Sequence, residues 1–411
     1  MTNPPPELAP TAGLPPEPSA APPPDSSPAA RPATRATRAG LASDRAYAAV
    51  VPPIYLSSTY AFDGLDGRGP YDYSRTGNPT RRLLADALAD LEGGAGAEIT
   101  ASGLGAATAA VHALTAAGDL VVAPHDCYGG TWRLFDALAR QGRLRVQWAD
   151  LTQPDAAGLI AAQAPRLVWI ETPSNPLLRI TDIANLSTAT HEAGGLVVVD
   201  NTFLSPVFQT PLALGADVVV HSTTKYINGH SDVVGGAVIA KDPGTAENLR
   251  WWCNTLGLPG GAFDSYLALR GLRTLHRRMA AHGANAAQVA EVLGAHPAVK
   301  ALHYPGRPDH PGHALAARQQ HGFGGIVSFD VGSEAAARRL LDGLRFFSLA
   351  ESLGGVESLI CHPGLMTHAA MPPAVQQAAG ITPGLLRLSV GIEDISDLVA
   401  DLSAGLERAA G

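Results

Sequence analysis

Lysine is almost missing from this chain. Of 29 Lys plus Arg, only Lys225, Lys241 and Lys300 are lysines, so chemistry that needs a titratable amine has few candidates. Cysteine is equally scarce. Cys127, Cys253 and Cys361 are too few and too scattered for a disulfide framework or a zinc cluster, which makes a reducing cytosol the expected compartment. No stretch approaches the ~18 apolar residues of a membrane span. A cationic excess is absent as well: 37 acidic residues leave a formal charge of -8, which argues against a broad nucleic-acid footprint. What remains is a chain of 411 residues, 46% hydrophobic with 44 glycines, suited to a globular protein of two domains.

Residues 1–40 differ in kind from the rest. The first 32 include 12 prolines among Ala, Ser and Glu, without apolar periodicity, and a disordered extension is expected. A basic start and an apolar core are both missing, so the segment does not read as a targeting signal. From residue 80 the pattern becomes strand, turn, helix, repeated. Thr80 is the expected cap of a helix carrying Leu83, Leu84, Ala87, Leu88 and Leu91, which stops at Gly93-Gly94. Short apolar runs follow at 120–122, 167–170, 196–199 and 218–220, separated by helix-length sequence. Strands apolar on both faces and alternating with helices predict an α/β fold, its mainly parallel sheet covered on both sides. After about residue 280, a helix near 284–293, strands at 326–331 and 386–390, and a helix near 395–406 predict a smaller α+β domain.

Three consecutive strand ends carry polar clusters: Glu171 to Pro176, Asp200-Asn201-Thr202, and His221-Ser222-Thr223-Thr224-Lys225-Tyr226. Functional groups of open α/β sheets gather at such carboxyl ends. An Asp, a Lys and a hydroxyl-rich turn suit pyridoxal phosphate, whose aldehyde needs an amine and whose pyridine nitrogen needs a carboxylate. Ser222 and Thr224 flank the lysine, and Ser102-Gly103-Leu104-Gly105 precedes an Ala-rich helix whose first N–H groups would favour a phosphate. Each piece also has an ordinary reading. The aspartate could be a turn residue and the lysine a solvated charge. Gly103-x-Gly105 is a weak dinucleotide fingerprint, because Thr108 occupies the third-glycine position. His310 and His313 sit in a proline-rich loop where no metal is expected. Lys241 lies in a turn, and Lys300 has no polar cluster around it. Residue pattern alone leaves the cofactor site and the set of turn residues both open.

At Tyr73-Ser74-Arg75, Gly77-Asn78-Pro79-Thr80, Pro173-Ser174-Asn175-Pro176, Asp200-Asn201-Thr202-Phe203 and Ser222-Thr223-Thr224-Lys225-Tyr226, the chain resembles the Cys/Met-metabolism family of pyridoxal-phosphate enzymes. The resemblance runs from about residue 42 to the C-terminus and implies an aspartate-aminotransferase-like fold. It implies an arm over 41–75, a cofactor domain over 76–283 and a C-terminal domain over 284–411. By the same resemblance Lys225 is the Schiff-base lysine and proton shuttle, Asp200 pairs with the pyridinium, and Tyr128 stacks on the ring. Asn175 lies near the 3-hydroxyl, while Ser222, Thr224, Gly103 and Leu104 cradle the phosphate. Tyr73 and Arg75 reach the phosphate of a neighbouring subunit, so a homotetramer with shared sites is implied. For the substrate, Arg387 grips the α-carboxylate, assisted by Ser352; Arg133 faces a distal carboxylate, and Asp72 and Glu351 engage the amino group of an incoming cysteine.

Glu351 precedes Ser352 where the family's β-lyases place a bulky aromatic, and Gly129-Gly130 follows Tyr128 where its methionine γ-lyases place a cysteine after the first glycine. The resemblance therefore implies chemistry at Cγ: a transferase of methionine biosynthesis that joins O-succinyl-L-homoserine to L-cysteine, giving L-cystathionine. Cystathionine γ-lysis and an O-acetylhomoserine donor are the alternatives. Two departures stand out. Thr76 replaces the second arginine found directly after the Tyr-Ser-Arg arginine in succinyl-using relatives, and the run Cys361-His362-Pro363-Gly364 is unusual.

Overall fold

Seven short strands form the larger sheet; its central members are apolar in succession and leave no face for water, while the edge strand at 145–149 is more polar and partly exposed. These are β1 (Gly96–Thr100), β2 (Leu120–Pro124), β3 (Arg145–Ala149), β4 (Leu167–Glu171), β5 (Leu196–Asp200), β6 (Val218–His221) and β7 (Gly236–Ala240). Their spatial order is β1-β7-β6-β5-β4-β2-β3. The strands from β6 across to β3 pair in parallel, whereas β7 runs antiparallel to both neighbours. Alternate side chains enter opposite cores: Val168, Val197 and Val199 pack on one face, Trp169 and Val198 on the other. A computed structural model is the basis for this description, and it describes residues 30–411.

Order begins earlier than the composition suggested. Pro32–Arg38 forms helix α1, with Ala36 buried and Arg35 reaching the carboxylate of Asp90. Ala36 supplies the apolar contact of this helix with the core. The expected disorder of residues 1–29 lies outside the described residues.

Helix α2 (Pro79–Glu92) starts on Asn78, not on Thr80 as the spacing suggested. The Asn78 side chain accepts from the N–H groups of Thr80 and Arg81, and Pro79 fits the first helical position, where no N–H is needed. The Thr80 hydroxyl instead donates to the Pro53 carbonyl and accepts from the Tyr55 N–H, tying the arm to the helix. Gly93 ends α2 at φ 75°, as expected of a C-terminal glycine.

The second sheet is antiparallel apart from one edge. It comprises β8 (Ala301–His303), β9 (Ile326–Asp330), β10 (Ser348–Leu349), β11 (Leu359–Cys361) and β12 (Leu385–Ser389), in the order β10-β11-β12-β9-β8. The helix Leu275–Ala295 packs on it, and Ile395–Ala410 packs on that helix and on Glu334–Leu341, within the same core. The boundary expected at 283/284 falls inside the first of these helices. Its Leu275 and Met279 are buried in the large core, while Ala286, Val289 and Leu293 are buried in the small one. One rigid helix thus ties both domains, with the site between them. Among the described residues, no helix is long and apolar enough to cross a membrane.

Candidate active site

The carboxyl ends of β4, β5 and β6 open into a cavity of about 300 Å³ between the two domains. Parallel pairing sets Glu171 beside Asp200 in register, so two carboxylates enter from adjacent strands. Asp200 is partly exposed to the cavity yet lies deep. Burial pushes its pKa up, opposed by the Thr202 N–H and O–H, both of which donate to Oδ1. The Thr202 hydroxyl also accepts from the Ser222 N–H at 2.9 Å, linking the turns after β5 and β6.

Lys225 sits in the turn after β6 and donates from Nζ to Ser352 Oγ at 2.7 Å. Burial first, then the nearby Arg387 charge, bring its pKa down to about 8. The other lysines have no such setting. Lys300 Nζ bonds only the Pro297 carbonyl, and Lys241 is exposed beside Asp242, which caps the helix Pro243–Leu256.

Arg387, on β12, is nearly fully buried at 2% exposure. It donates from Nη1 to Asn175 Oδ1 at 2.7 Å and from Nη2 to the Ser352 carbonyl at 2.9 Å, while buried Nε has no protein partner. Ser352 adopts a left-handed backbone (φ 85°), which costs about 1–3 kcal/mol. That conformation lets one residue present its hydroxyl to Lys225 and its carbonyl to Arg387.

The phosphate-like end is built on helix α3 (Gly103–Leu114), capped by Ser102, whose side chain accepts from the Gly105 N–H. The first amides of a helix have no intrahelical acceptor and favour an anion. Ser222, Thr224, Gly103 and Leu104 all line this part of the cavity. Thr224 is partly committed, since its hydroxyl donates to the Gly235 carbonyl and accepts from the Gly235 N–H. A Cβ at Gly103 would lie 2.7 Å from Ser222 Cβ and 2.9 Å from its Cα, so only glycine lets the helix come this close. Gly103→Ala is expected to shift α3 and weaken cofactor retention roughly tenfold, the scale of one neutral hydrogen bond. Equilibrium dialysis of pyridoxal phosphate against both proteins measures this, and equal affinity refutes it.

Tyr128 forms the opposite wall at the start of helix α4 (Gly129–Arg140). Its ring folds back over Gly130, where a Cβ would meet Tyr128 Cε1 at 2.5 Å. Burial pushes the phenol pKa up, so the ring holds its proton. Arg133 lies one helical turn on and is near enough to lower that pKa, although it does not line the cavity.

The cavity therefore gathers Gly103, Leu104, Tyr128, Asn175, Asp200, Ser222, Thr224, Lys225, Glu351, Ser352 and Arg387. Asp72, Tyr73 and Arg75 are not among its walls. Arg75 bonds the side chain and carbonyl of Asn254 and lines a separate surface hollow, while Asp72 pairs with Arg68. Sequence reasoning left Glu171, Thr202 and Thr367 out of the site, yet all three line it. Glu171 and Thr202 were readable as members of the strand-end clusters; Thr367 comes from a distant loop and had no local signal. Cys361 faces Arg387 across the β11–β12 register, and burial pushes its thiol pKa up. His310 and His313 are held by loop contacts, and the described residues contain no metal-ligand cluster.

The Cys/Met metabolism PLP-dependent enzyme family matches residues 33–407. The chain belongs to that family. It is 55% identical to the cystathionine gamma-synthase of Escherichia coli (strain K12) over 92% of this chain and 98% of that protein. It is 44% identical to the cystathionine beta-lyase of Lactococcus lactis subsp. cremoris (strain MG1363), over 91% of this chain and 98% of that one. Among solved structures, cystathionine gamma synthase from Xanthomonas oryzae pv. oryzae, in complex with aminoacrylate and cysteine, superposes with a TM-score of 0.91 at 58% identity. That match covers 93% of this chain and 99% of the other.

The chain is thus a pyridoxal-phosphate enzyme, and its cavity fits that cofactor. Glu171 and Asp200 crowd two carboxylates at one end, where burial and their mutual repulsion raise the Glu171 pKa well above the ordinary range. A protonated pyridine would relieve that repulsion. At the other end, helix amides and the two hydroxyls suit a phosphate.

Proposed function

We propose that the chain catalyses γ-replacement, joining an O-acylated L-homoserine to L-cysteine to give L-cystathionine, with the succinyl ester as the preferred donor. The observation that carries this reading is one cavity in which Lys225, Arg387 and Glu351 converge, in a chain so similar to cystathionine γ-synthases. Lys225, Asp200, Tyr128, Asn175, Ser222, Thr224 and the Gly103 and Leu104 amides would hold the cofactor. When bound, it supplies an electron sink that stabilises negative charge on substrate carbon.

The residues of the chain then do the rest. Arg387 binds the α-carboxylate while Asn175 and Ser352 fix the guanidinium plane. Lys225 Nζ, its pKa lowered to about 8 chiefly by burial, takes the proton from Cα and moves protons along one face of the substrate. Ser352 Oγ orients that amine. Glu351 meets the amino group of the incoming cysteine. Overall the Cγ–O bond breaks, the Cγ–S bond forms, and the acyl group departs as carboxylic acid carrying the thiol's proton.

The arm over 41–75 is read as completing the site of a second copy, within a homotetramer. In support, the arm exposes Tyr47, Val50, Leu56 and Leu65, and its Tyr73 and Arg75 stand away from this chain's own cavity. Asp72 would join them there. Arg133 remains the candidate for the distal carboxylate, because Thr76 supplies no charge. Three buried free thiols suit a reducing cytosol.

Purified protein supplied with O-succinylhomoserine and cysteine is expected to release cystathionine, and more slowly with the acetyl ester. Rapid 2-oxobutanoate from cystathionine alone, with no cystathionine synthesis, would overturn this in favour of γ-lysis.

A further inference from the structure

Glu171 stands at the centre of a hydrogen-bonded chain that spans the cavity. It is 5% exposed, and its partners are backbone N–H groups in place of cations. Oε2 accepts from the Tyr128 N–H at 2.9 Å, and Oε1 accepts from the Asn175 N–H at 3.1 Å. Those two residues belong to different loops. One carries the aromatic wall; the other accepts from Arg387 Nη1 through Oδ1 at 2.7 Å. The Asn175 carbonyl is also held, by His368 Nε2 at 3.0 Å, with the Thr367 hydroxyl on the far side of that ring.

This arrangement is electrostatically expensive. A buried carboxylate without a cation costs several kcal/mol unless hydrogen bonds replace its water, and Asp200 beside it adds a like charge. An amide of the same shape would avoid the charge but could not make both contacts. It has a single acceptor oxygen, and its N–H₂ would face one of the two N–H donors. The carboxylate is the side chain that can accept on both sides at this length.

We propose that Glu171 is a positioning residue that couples the aromatic wall at Tyr128 to the carboxylate-binding Arg387, setting both against the cofactor plane. The proposal rests on the reading of Arg387 as the carboxylate grip, and the test separates the two.

The test uses the full-length, cofactor-loaded protein with Glu171→Gln, Glu171→Asp, Arg387→Lys and the Glu171→Gln/Arg387→Lys double variant. Steady-state kinetics with O-succinylhomoserine are paired with visible circular dichroism of the cofactor band, which reports ring orientation without turnover. Glu171→Gln is expected to raise KM ten- to a hundredfold, on the order of one charge-assisted hydrogen bond, with a smaller change in kcat. It is also expected to reduce the dichroism. Glu171→Asp keeps the charge but falls one methylene short, so it should behave like Gln; normal behaviour would assign the effect to charge and overturn the proposal. The double variant should be no worse than about threefold beyond the poorer single, because both changes cut one chain of contacts. If Glu171→Gln lowers only the thermal midpoint and leaves KM and dichroism within about twofold, or if the two losses multiply, Glu171 is merely structural. If Arg387→Lys itself leaves KM unchanged, the carboxylate grip is wrong and the coupling falls with it.

Discussion

Lys225→Ala is expected to lower turnover by roughly 10²–10⁴-fold, the range for loss of a positioned proton-transfer group. Borohydride should no longer fix pyridoxal phosphate to the protein. Lys225→Arg should be as inactive, although it preserves charge and approximate length, because a guanidinium stays protonated and condenses with no aldehyde. That comparison separates amine chemistry from electrostatics: an active Arg variant would remove Lys225 from its role. The pH dependence follows from its surroundings. Only the neutral amine attacks the aldehyde, and the pKa is held at about 8 by burial and by Arg387. Cofactor uptake by the stripped protein should therefore accelerate with pH and level off above about 8, whereas an ordinary lysine would keep accelerating towards ~10.4.

Arg387→Ala carries the second large effect. The guanidinium is buried, two of its nitrogens are committed to Asn175 and Ser352, and the residue lines the cavity. Removing one partner of a buried charge pair costs about 2–5 kcal/mol, which corresponds to roughly 30- to 5,000-fold in kcat/KM. The loss should appear chiefly in KM for the homoserine ester, with cofactor content unchanged, since Arg387 contacts neither the helix amides nor the hydroxyls of the phosphate end. A linked result checks the electrostatics. Arg387 is the second cause of the depressed Lys225 pKa, so its removal should let that pKa rise and move the uptake profile to higher pH. Unchanged kcat/KM, or a profile that stays in place, would contradict the geometry.

Both effects concern residues visible in the linear chain, but for different reasons. Lys225 was legible because lysine is rare here and because apolar strands announce their own ends: His221 closes β6 and the polar turn follows at once. Asp200 was legible in the same way, at the end of β5; Glu171 stood in such a cluster at the end of β4 but was not singled out as a site residue. Arg387 was legible only through the family resemblance, since a strand arginine alone says nothing about its partner. Its contact with Asn175 joins residues 212 apart in the chain. Thr367 and His368 were not legible as site residues, because their loop reaches the cavity only when the smaller domain folds against the larger.

Hydrophobic pattern by itself determined the α/β layering, the parallel sheet and which strand ends carry chemistry, since burying continuous apolar runs leaves few alternatives. Lysine scarcity then left one amine in the right place. Only the tertiary structure decided that Ser352 turns both its polar groups inward, that Gly103 admits Ser222, and that Glu171 uses both oxygens to hold two loops. Those choices depend on approach distances between segments far apart in sequence, which no local periodicity encodes. The first helix of the fold shows the same limit on a small scale. The proline-rich composition argued for disorder to residue 40, yet Ala36 buried against α2, Arg35 on the Asp90 carboxylate and Arg273 Nε donating to the Thr37 carbonyl hold Pro32–Arg38 as a helix.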